Sequence, residues 1–267
     1  MIMKTIAYQQ TIWNALEPMV REYYFELGNK NDAFHNNLIF GNTAYRITAD
    51  GTLCGFFSLG KSWDNGIMLC AFYLVPSARV YCVEIFRQIV KELNVQAAIP
   101  ASNDDLFLSL AFERMHKVGT NFEMQAYHFT YGEPDRPAEF PSECILPVPE
   151  EEFAEMDKLT EGQWAGCYGD PHYHFYKLCA DGETLGYGGI GRLHYNEQTA
   201  DIGIYTLPSK RMRCVGRSLV IHLSRIALNK GLTPVTGCWY GNKECIPTLK
   251  SAGYKPENRL FYIRFKK

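Results

Sequence analysis

The sequence lacks any apolar run near the roughly 20 residues that a bilayer-crossing helix needs. No membrane-spanning helix is therefore expected. Its first ten residues hold neither a long apolar stretch nor a small-residue cleavage site. A signal peptide is not expected either, and the expected setting is cytoplasmic. There is no charge excess of either sign: 27 Lys and Arg against 29 Asp and Glu leave a net charge of -2. That balance argues against nucleic acid or a membrane surface as partner. There is no Cys-x-x-Cys pair. The nine cysteines (Cys54, Cys70, Cys82, Cys144, Cys167, Cys179, Cys214, Cys238, Cys245) are scattered, mostly within apolar runs. No metal site is expected from them, and reduced, buried thiols are. Oligomeric state leaves no sequence signal.

What is present is ordinary globular material. A hydrophobic fraction of 46% and a charged fraction of 21% supply a real core. A length of 267 residues allows one large domain or two of about 130.

Internal similarity decides between these. Residues 49–60 read ADGTLCGFFSLG, and residues 180–191 read ADGETLGYGGIG. Residues 73–84 (YLVPSARVYCVE) then match residues 205–216 (YTLPSKRMRCVG) in the same order. The pairs are Tyr73/Tyr205, Pro76/Pro208, Ser77/Ser209, Arg79/Arg211, Cys82/Cys214 and Val83/Val215. Asn103 pairs more weakly with Asn242. Collinear matches at near-constant offset predict a duplicated domain. The polar, Pro-bearing stretch 131–143 reads as the linker. The expected domains are residues 1–135 and 136–267.

Each half reads as mixed α/β. In the second, Pro149 to Lys158 opens a helix, with Glu150, Glu151 and Glu152 suiting its N-terminus. Two strands flank the hairpin signal Ala180-Asp-Gly182, and a third runs from about Ala200 to Leu207. Val215, Leu219, Leu223, Ile226 and Ala227 mark a helix that Gly231 stops. A strand over 234–239, a helix capped by Asn242 and a last strand over 259–265 follow. The first half gives the same order: strands near 43–48, 53–59 and 67–74, a helix over 79–93, a strand over 95–99, a helix over 104–114, then strands to about 131.

The segment from Tyr205 to Ser218 carries the chemistry. A strand ending at Pro208, then a helix from near Arg213, points unpaired backbone N–H groups at open space, which is an anion site. Lys210, Arg211, Arg213 and Arg217 crowd that end. Cations there oppose the helix dipole by roughly 0.3–1 kcal/mol each, and a bound polyanion offsets the mismatch. The bland alternative is a solvated basic loop. The first half has Ala78, Tyr81 and Glu84 where the second has Lys210, Arg213 and Gly216. A carboxylate at Glu84 would repel phosphate, so the halves read as a degenerate copy and a working one.

This order resembles the GNAT N-acetyltransferases, whose phosphate loop is Gln/Arg-x-x-Gly-x-Gly/Ala. Here the loop would be Arg211-Met-Arg-Cys-Val-Gly216, with Asn242-Lys-Glu-Cys245 and Gly253-Tyr254 as the later element. Asp201 to Thr206, with Gly231-Leu-Thr-Pro234, looks most like the zwittermicin-resistance type. The resemblance implies two tandem GNAT-like domains and acetyl-CoA or another acyl-CoA as cofactor. Ile204, Tyr205 and Thr206 would line pantetheine. Met212, Arg213, Cys214, Val215, Gly216 and Arg217 would hold the pyrophosphate, with Arg211 and Ser218 among the cofactor-binding residues at its ends. Asn242 would touch the pantetheine arm. Three residues depart from the pattern. Cys214 replaces the first glycine, Leu249 stands where many members have a tyrosine that protonates the thiolate, and Pro247 interrupts the last helix.

Acyl transfer to an amine needs a base, an oxyanion partner and an acid. Asp201 is the candidate base, with Glu197 and His194 as alternatives, and Asp201 would need burial to raise its pKa. Tyr205 and Tyr254 are candidate acids. Each also has an inert reading, as a packed tyrosine or a solvated carboxylate. In the loop Gln163 to His174, Asp170 and Trp164 are positioned by sequence to attract and stack on an ammonium. The expected acceptor is a small-molecule amine. The alternatives are a non-catalytic acyl-CoA-binding or regulatory protein and an aminoacyl-tRNA-dependent transferase.

Overall fold

The computed structural model describes residues 5–28, 30–118 and 120–265. In chain order its elements are β1 (Ile6–Thr11), α1 (Glu17–Glu26), α2 (Ala33–Phe40), β2 (Thr43–Ala49), β3 (Thr52–Lys61), β4 (Ile67–Leu74), α3 (Cys82–Glu92), β5 (Val95–Ala98), α4 (Asp105–Val118) and β6 (Thr120–Thr130). There follow β7 (Ile145–Pro147), α5 (Phe153–Leu159), β8 (Tyr173–Ala180), β9 (Glu183–Leu193), β10 (Asn196–Thr206), α6 (Val215–Asn229), β11 (Thr233–Trp239), α7 (Cys245–Ser251) and β12 (Lys255–Phe265). The class is mixed α/β, as the sequence implied. Among the described residues no helix is long and apolar enough to cross a membrane.

The chain divides into two compact units. Unit 1 gathers Met1–Asn29, Phe34–Tyr127 and Asn258–Lys267; unit 2 gathers Lys30–Ala33 and His128–Glu257. In unit 1, β1 to β4 pair antiparallel in succession, and β5 joins β4 in parallel. The chain's last strand completes this sheet: β12 pairs antiparallel with β5, Ile263 opposite Ala98. Ile85, Phe86, Ile89 and Val90 give α3 one apolar face against Phe57, Phe72 and Phe107.

Unit 2 repeats the plan. β7 to β10 pair antiparallel and β11 joins β10 in parallel. Val215, Leu219, Leu223 and Ala227 recur every four residues and are all buried, which seats α6 on this sheet. The matched hairpins have matched backbones: Asp50 and Asp181 turn at φ 50° and 51°, each followed by a positive-φ glycine. That geometry suits the right-handed twist of the flanking strands.

The units differ where strand meets helix. In unit 1 a 3₁₀ turn, Pro76–Tyr81, runs straight into α3. In unit 2 the 3₁₀ turn Pro208–Lys210 stops, and four residues intervene before α6. Both helices therefore begin later than the sequence pattern implied, at Cys82 and Val215 rather than near Arg79 and Arg213.

Candidate functional site

The residues between β10 and α6 form a turn with two left-handed positions, Met212 at φ 61° and Cys214 at φ 58°. Left-handed backbone costs an L-residue roughly 1–2 kcal/mol. Cys214 thus adopts a backbone conformation that favours glycine. Cys214→Gly is expected to raise stability by about 0.5–1 kcal/mol, after the greater unfolded-state entropy of glycine is deducted. Chemical denaturation measures this, and a loss of stability would contradict it.

The turn leaves the start of α6 open. Ser218 N–H is bonded to Cys214 O at 3.0 Å, so the amides of Val215, Gly216 and Arg217 precede that first intrahelical bond. No side chain caps this end and its first turn holds no acidic residue. A Cβ on Gly216 would lie 3.1 Å from Thr248 Cγ2, 3.2 Å from Thr206 Oγ1 and 3.3 Å from Ile204 Cδ1. The end of β10 and the first turn of α6 therefore meet closely at Gly216.

Beside them β10 parts from β11. Their ladder covers Thr199–Asp201 against Thr233–Val235, while β10 runs on to Thr206. Thr236 Oγ1 donates to Ile202 O at 2.7 Å. Beyond it, Ile204, Tyr205 and Thr206 line the edge where the strands have separated.

The cations are arranged unequally. Arg213 and Met212 are exposed. Lys210 pairs with Glu183, and Arg217 Nη2 lies 3.6 Å from Glu139 Oε2. Arg211 Nε donates to Thr206 O at 3.5 Å. Ser218 is fully buried. Its Oγ accepts from Glu139 N and Phe140 N at 2.9 and 3.3 Å, so its role is to hold the preceding segment.

Unit 1 fills the equivalent place with its own chain. Arg79 Nε donates to Leu74 O at 3.0 Å, matching the Arg211 contact 132 residues on, while Arg79 Nη2 reaches both carboxylate oxygens of Glu26 at 2.6 Å. Tyr23 of α1 is buried against Tyr73, the ring over which Arg79 lies, and donates to Asp104 Oδ2 at 2.8 Å.

Asp201 closes the β10–β11 ladder and is half-buried. Ala33 N donates to its Oδ1 at 3.2 Å. Burial, then the neighbouring Asp32 carboxylate, raises its pKa from 3.8 to about 7. Burial of this carboxyl is the condition set by the sequence for a base. Asp32 is 2% exposed and His128 Nε2 lies 3.6 Å from its Oδ1. A Cβ on Gly237 would overrun Asp32 Oδ2 and stand 2.6 Å from its Cγ. Neither Asp32 nor His128 was evident as a site residue in sequence: Asp32 sits in a polar stretch, 169 positions from Asp201.

The other candidates separate. Burial and then Glu161 raise the Tyr205 phenol, whose OH donates to Glu161 Oε1 at 3.2 Å. Tyr205 stays protonated at neutral pH. Tyr254 is in the core, 2.7 Å from Ser224 Oγ, and burial drives its pKa far above the phenol range. His194 and Glu197 are exposed at the opposite end of β10 from Thr206. Trp164 is buried against Phe175, with ring centroids 6.0 Å apart, so it does not offer a stacking face. Asp170 accepts from His172 N at 2.8 Å and shapes its own turn. Asn242 Oδ1 caps α7 through Cys245 N at 3.0 Å. Pro247 is the third residue of α7, where a missing N–H costs no helical bond. Leu249 is core.

A groove of about 520 Å³ opens beside Lys210, lined by Glu152, Glu155, Lys177 and Glu183. Its charges are largely matched within it, Glu152 to Lys177 and Glu183 to Lys210.

Residues 12–132 match the family described as acetyltransferase (GNAT) domain, and residues 137–254 the acetyltransferase (GNAT) family. Among solved structures the chain is similar to an acetyltransferase of the GNAT family from Colwellia psychrerythraea. Identity is 17% and the TM-score 0.80, over 98% of this chain and 100% of that one. A GCN5-related N-acetyltransferase from Sphaerobacter thermophilus is 13% identical with a TM-score of 0.62, over 97% and 95%. A tandem GNAT protein from the clavulanic acid biosynthesis pathway is 9% identical with a TM-score of 0.58, over 97% and 98%. At such identities the likeness is one of fold. No curated protein matches the sequence.

Proposed function

Because the chain carries two GNAT acetyltransferase domains in tandem, we propose that unit 2 binds an acyl-CoA and transfers its acyl group directly to the amine of a small molecule. The observation that carries this is the uncapped start of α6 behind a left-handed turn, with Arg211 and Arg213 beside it. Successive backbone amides in such a turn make an anion-binding concavity. Unit 1 lacks the turn and neutralises its matching arginine with Glu26. That contrast supports a working copy and a degenerate one.

Residues 212–217 would hold the pyrophosphate, with Arg211 at its edge, and Ile204, Tyr205 and Thr206 would line pantetheine. Asn242 Oδ1 is committed to α7, which leaves its Nδ2 for the arm. Acetyl-CoA, when bound, supplies the acyl group as a thioester. Asp201 takes a proton from the acceptor amine, a role its raised pKa suits near neutral pH. Tyr205, protonated and next to Arg211, is the acid on the thiolate side. The narrower likeness to the zwittermicin-resistance type rests on residues 201–206 and 231–234 alone.

Thermal unfolding tests this. Acetyl-CoA at 100 times its Kd is expected to add about 2.7 kcal/mol of stability. Arg213→Glu is expected to weaken that binding at least about tenfold, since it exchanges a charge-assisted contact for repulsion. An unfolding midpoint indifferent to acetyl-CoA sinks the proposal. A second reading, acyl-CoA binding without transfer, is favoured by Leu249, which puts a core aliphatic where a tyrosine acid is common in the family. It predicts stabilisation by acetyl-CoA with no turnover across a broad amine panel.

A further inference from the structure

Unit 2 holds an acidic pair beyond the cofactor residues, Asp32 buried and Asp201 half-buried. Three separate parts of the sequence build it: the segment Lys30–Ala33, the end of β6 and the middle of β10. Asp32 and Ala33 arrive together. Ala33 donates its amide to Asp201 Oδ1 at 3.2 Å, while the Asp32 side chain turns to Gly237 on β11. His128, itself 1% exposed, approaches Asp32 Oδ1 at 3.6 Å. Two carboxyls are thus fixed close together in a low-dielectric place, where like charges disfavour each other.

We propose that Asp32 is a positioning residue: seated on Gly237 and against His128, it holds Asp201 as the proton acceptor for a cationic amine. The inference rests on the reading of unit 2 as an acyltransferase. The acceptor enters as R–NH3⁺. One N–H bond breaks, its electron pair stays on nitrogen, and the proton forms an O–H bond on Asp201. The neutral amine that results is the nucleophile. An ammonium is attracted by the pair of carboxyls, and the proton it gives up relieves their repulsion. A neutral or anionic acceptor gains nothing from this arrangement.

The other groups facing Asp201 do not supply the same effect. Tyr173 of β8, Cys167 before it and Tyr254 after α7 sense the Asp201 charge, and Asp170 acts on Cys167 and Tyr173. Burial raises all three of those side chains, so they are neutral near pH 7. Asp32 is the carboxylate acting directly on Asp201, and His128 stands behind Asp32.

Carbon-13 NMR of the full chain, labelled at the aspartate carboxyls, tests this without a substrate. The Asp201 signal is assigned by its loss in Asp201→Asn. It is expected to titrate near 7 in the wild-type protein, and at least about one pH unit lower in Asp32→Asn, a tenfold drop in proton affinity. A wild-type midpoint below about 5 overturns the proposal, as does a midpoint unmoved or raised in Asp32→Asn. Gly237→Ala displaces the Asp32 carboxyl without removing it and is expected to lower the midpoint as well, which covers the case of Asp32→Asn failing to fold. An Asp32 whose charge does not reach Asp201 would leave the midpoint in place. Acetyl-CoA stabilisation, measured separately, distinguishes failure of this inference from failure of the acyltransferase reading.

Discussion

Asp201→Asn is expected to lower kcat/KM for acyl transfer by about 10²–10⁴, the usual contribution of a positioned general base, while leaving stabilisation by acetyl-CoA intact. Asparagine keeps an oxygen to accept from Ala33 N but binds no proton from the amine. Steady-state kinetics beside thermal shifts separate the two effects, and full activity in the variant would remove Asp201 from the mechanism. The same variant has a stability signature. The folded-state pKa of Asp201, about 7, lies above the unfolded value near 3.8. The folded protein therefore binds this proton more tightly, and the resulting stability is complete below the unfolded pKa and lost as pH rises through about 7. At pH 8 the wild type bears the cost of a buried charge that the variant does not. Asp201→Asn is expected to be more stable than wild type by about 1–3 kcal/mol at pH 8, with the difference fading towards pH 4. Loss of activity with a gain in stability is the mark of a functional carboxylate rather than a structural one.

Gly216→Glu is expected to abolish stabilisation by acetyl-CoA. Two effects act together. The Cβ would press on Thr248, Thr206 and Ile204 at 3.1–3.3 Å, so these neighbours must give by a few tenths of an ångström. The carboxylate would then face bound phosphate. A unit-charge repulsion at 4 Å is about 4 kcal/mol at an effective dielectric of 20. Binding is expected to weaken a hundredfold or more. In the unliganded protein this crowding is offset only in part, since a carboxylate in the first helical turn favours the helix dipole by roughly 0.3–1 kcal/mol. This change repeats what unit 1 carries naturally at Glu84. Equal thermal shifts for variant and wild type would place the anion site elsewhere.

Much of this architecture was legible in the residues. The repeat, the Asp-Gly hairpins and the four-residue stripe of α6 were patterns of spacing, and spacing survives in sequence. The site was legible where it is local. Gly216 and its cations lie within one strand–turn–helix segment, and the left-handed Cys214 sits where the family pattern has glycine. Long-range features were not. α1 shows no clear apolar stripe, yet its Glu26 engages Arg79 and its Tyr23 packs on Tyr73, at the place that unit 2 keeps open. Asp32 reads as an ordinary loop aspartate, because burial is conferred by partners far along the chain. Trp164 and Asp170 have the right chemistry for an ammonium, but packing against Phe175 and a local turn to His172 engage them first.

The placement of β12 has a consequence for synthesis. Unit 1 includes Asn258–Lys267, although the rest of it ends at Tyr127. A ribosome must add the intervening 130 residues before that strand exists. At 5–20 residues per second this takes roughly 6 to 26 s. Until then the β5 edge, with Ala97 and Ala98 waiting for Arg264 and Ile263, has no native partner from the C-terminus. Emergence order and folding order are therefore decoupled: the half translated first is finished last. Premature termination anywhere in unit 2 would leave both units incomplete rather than one whole and one missing.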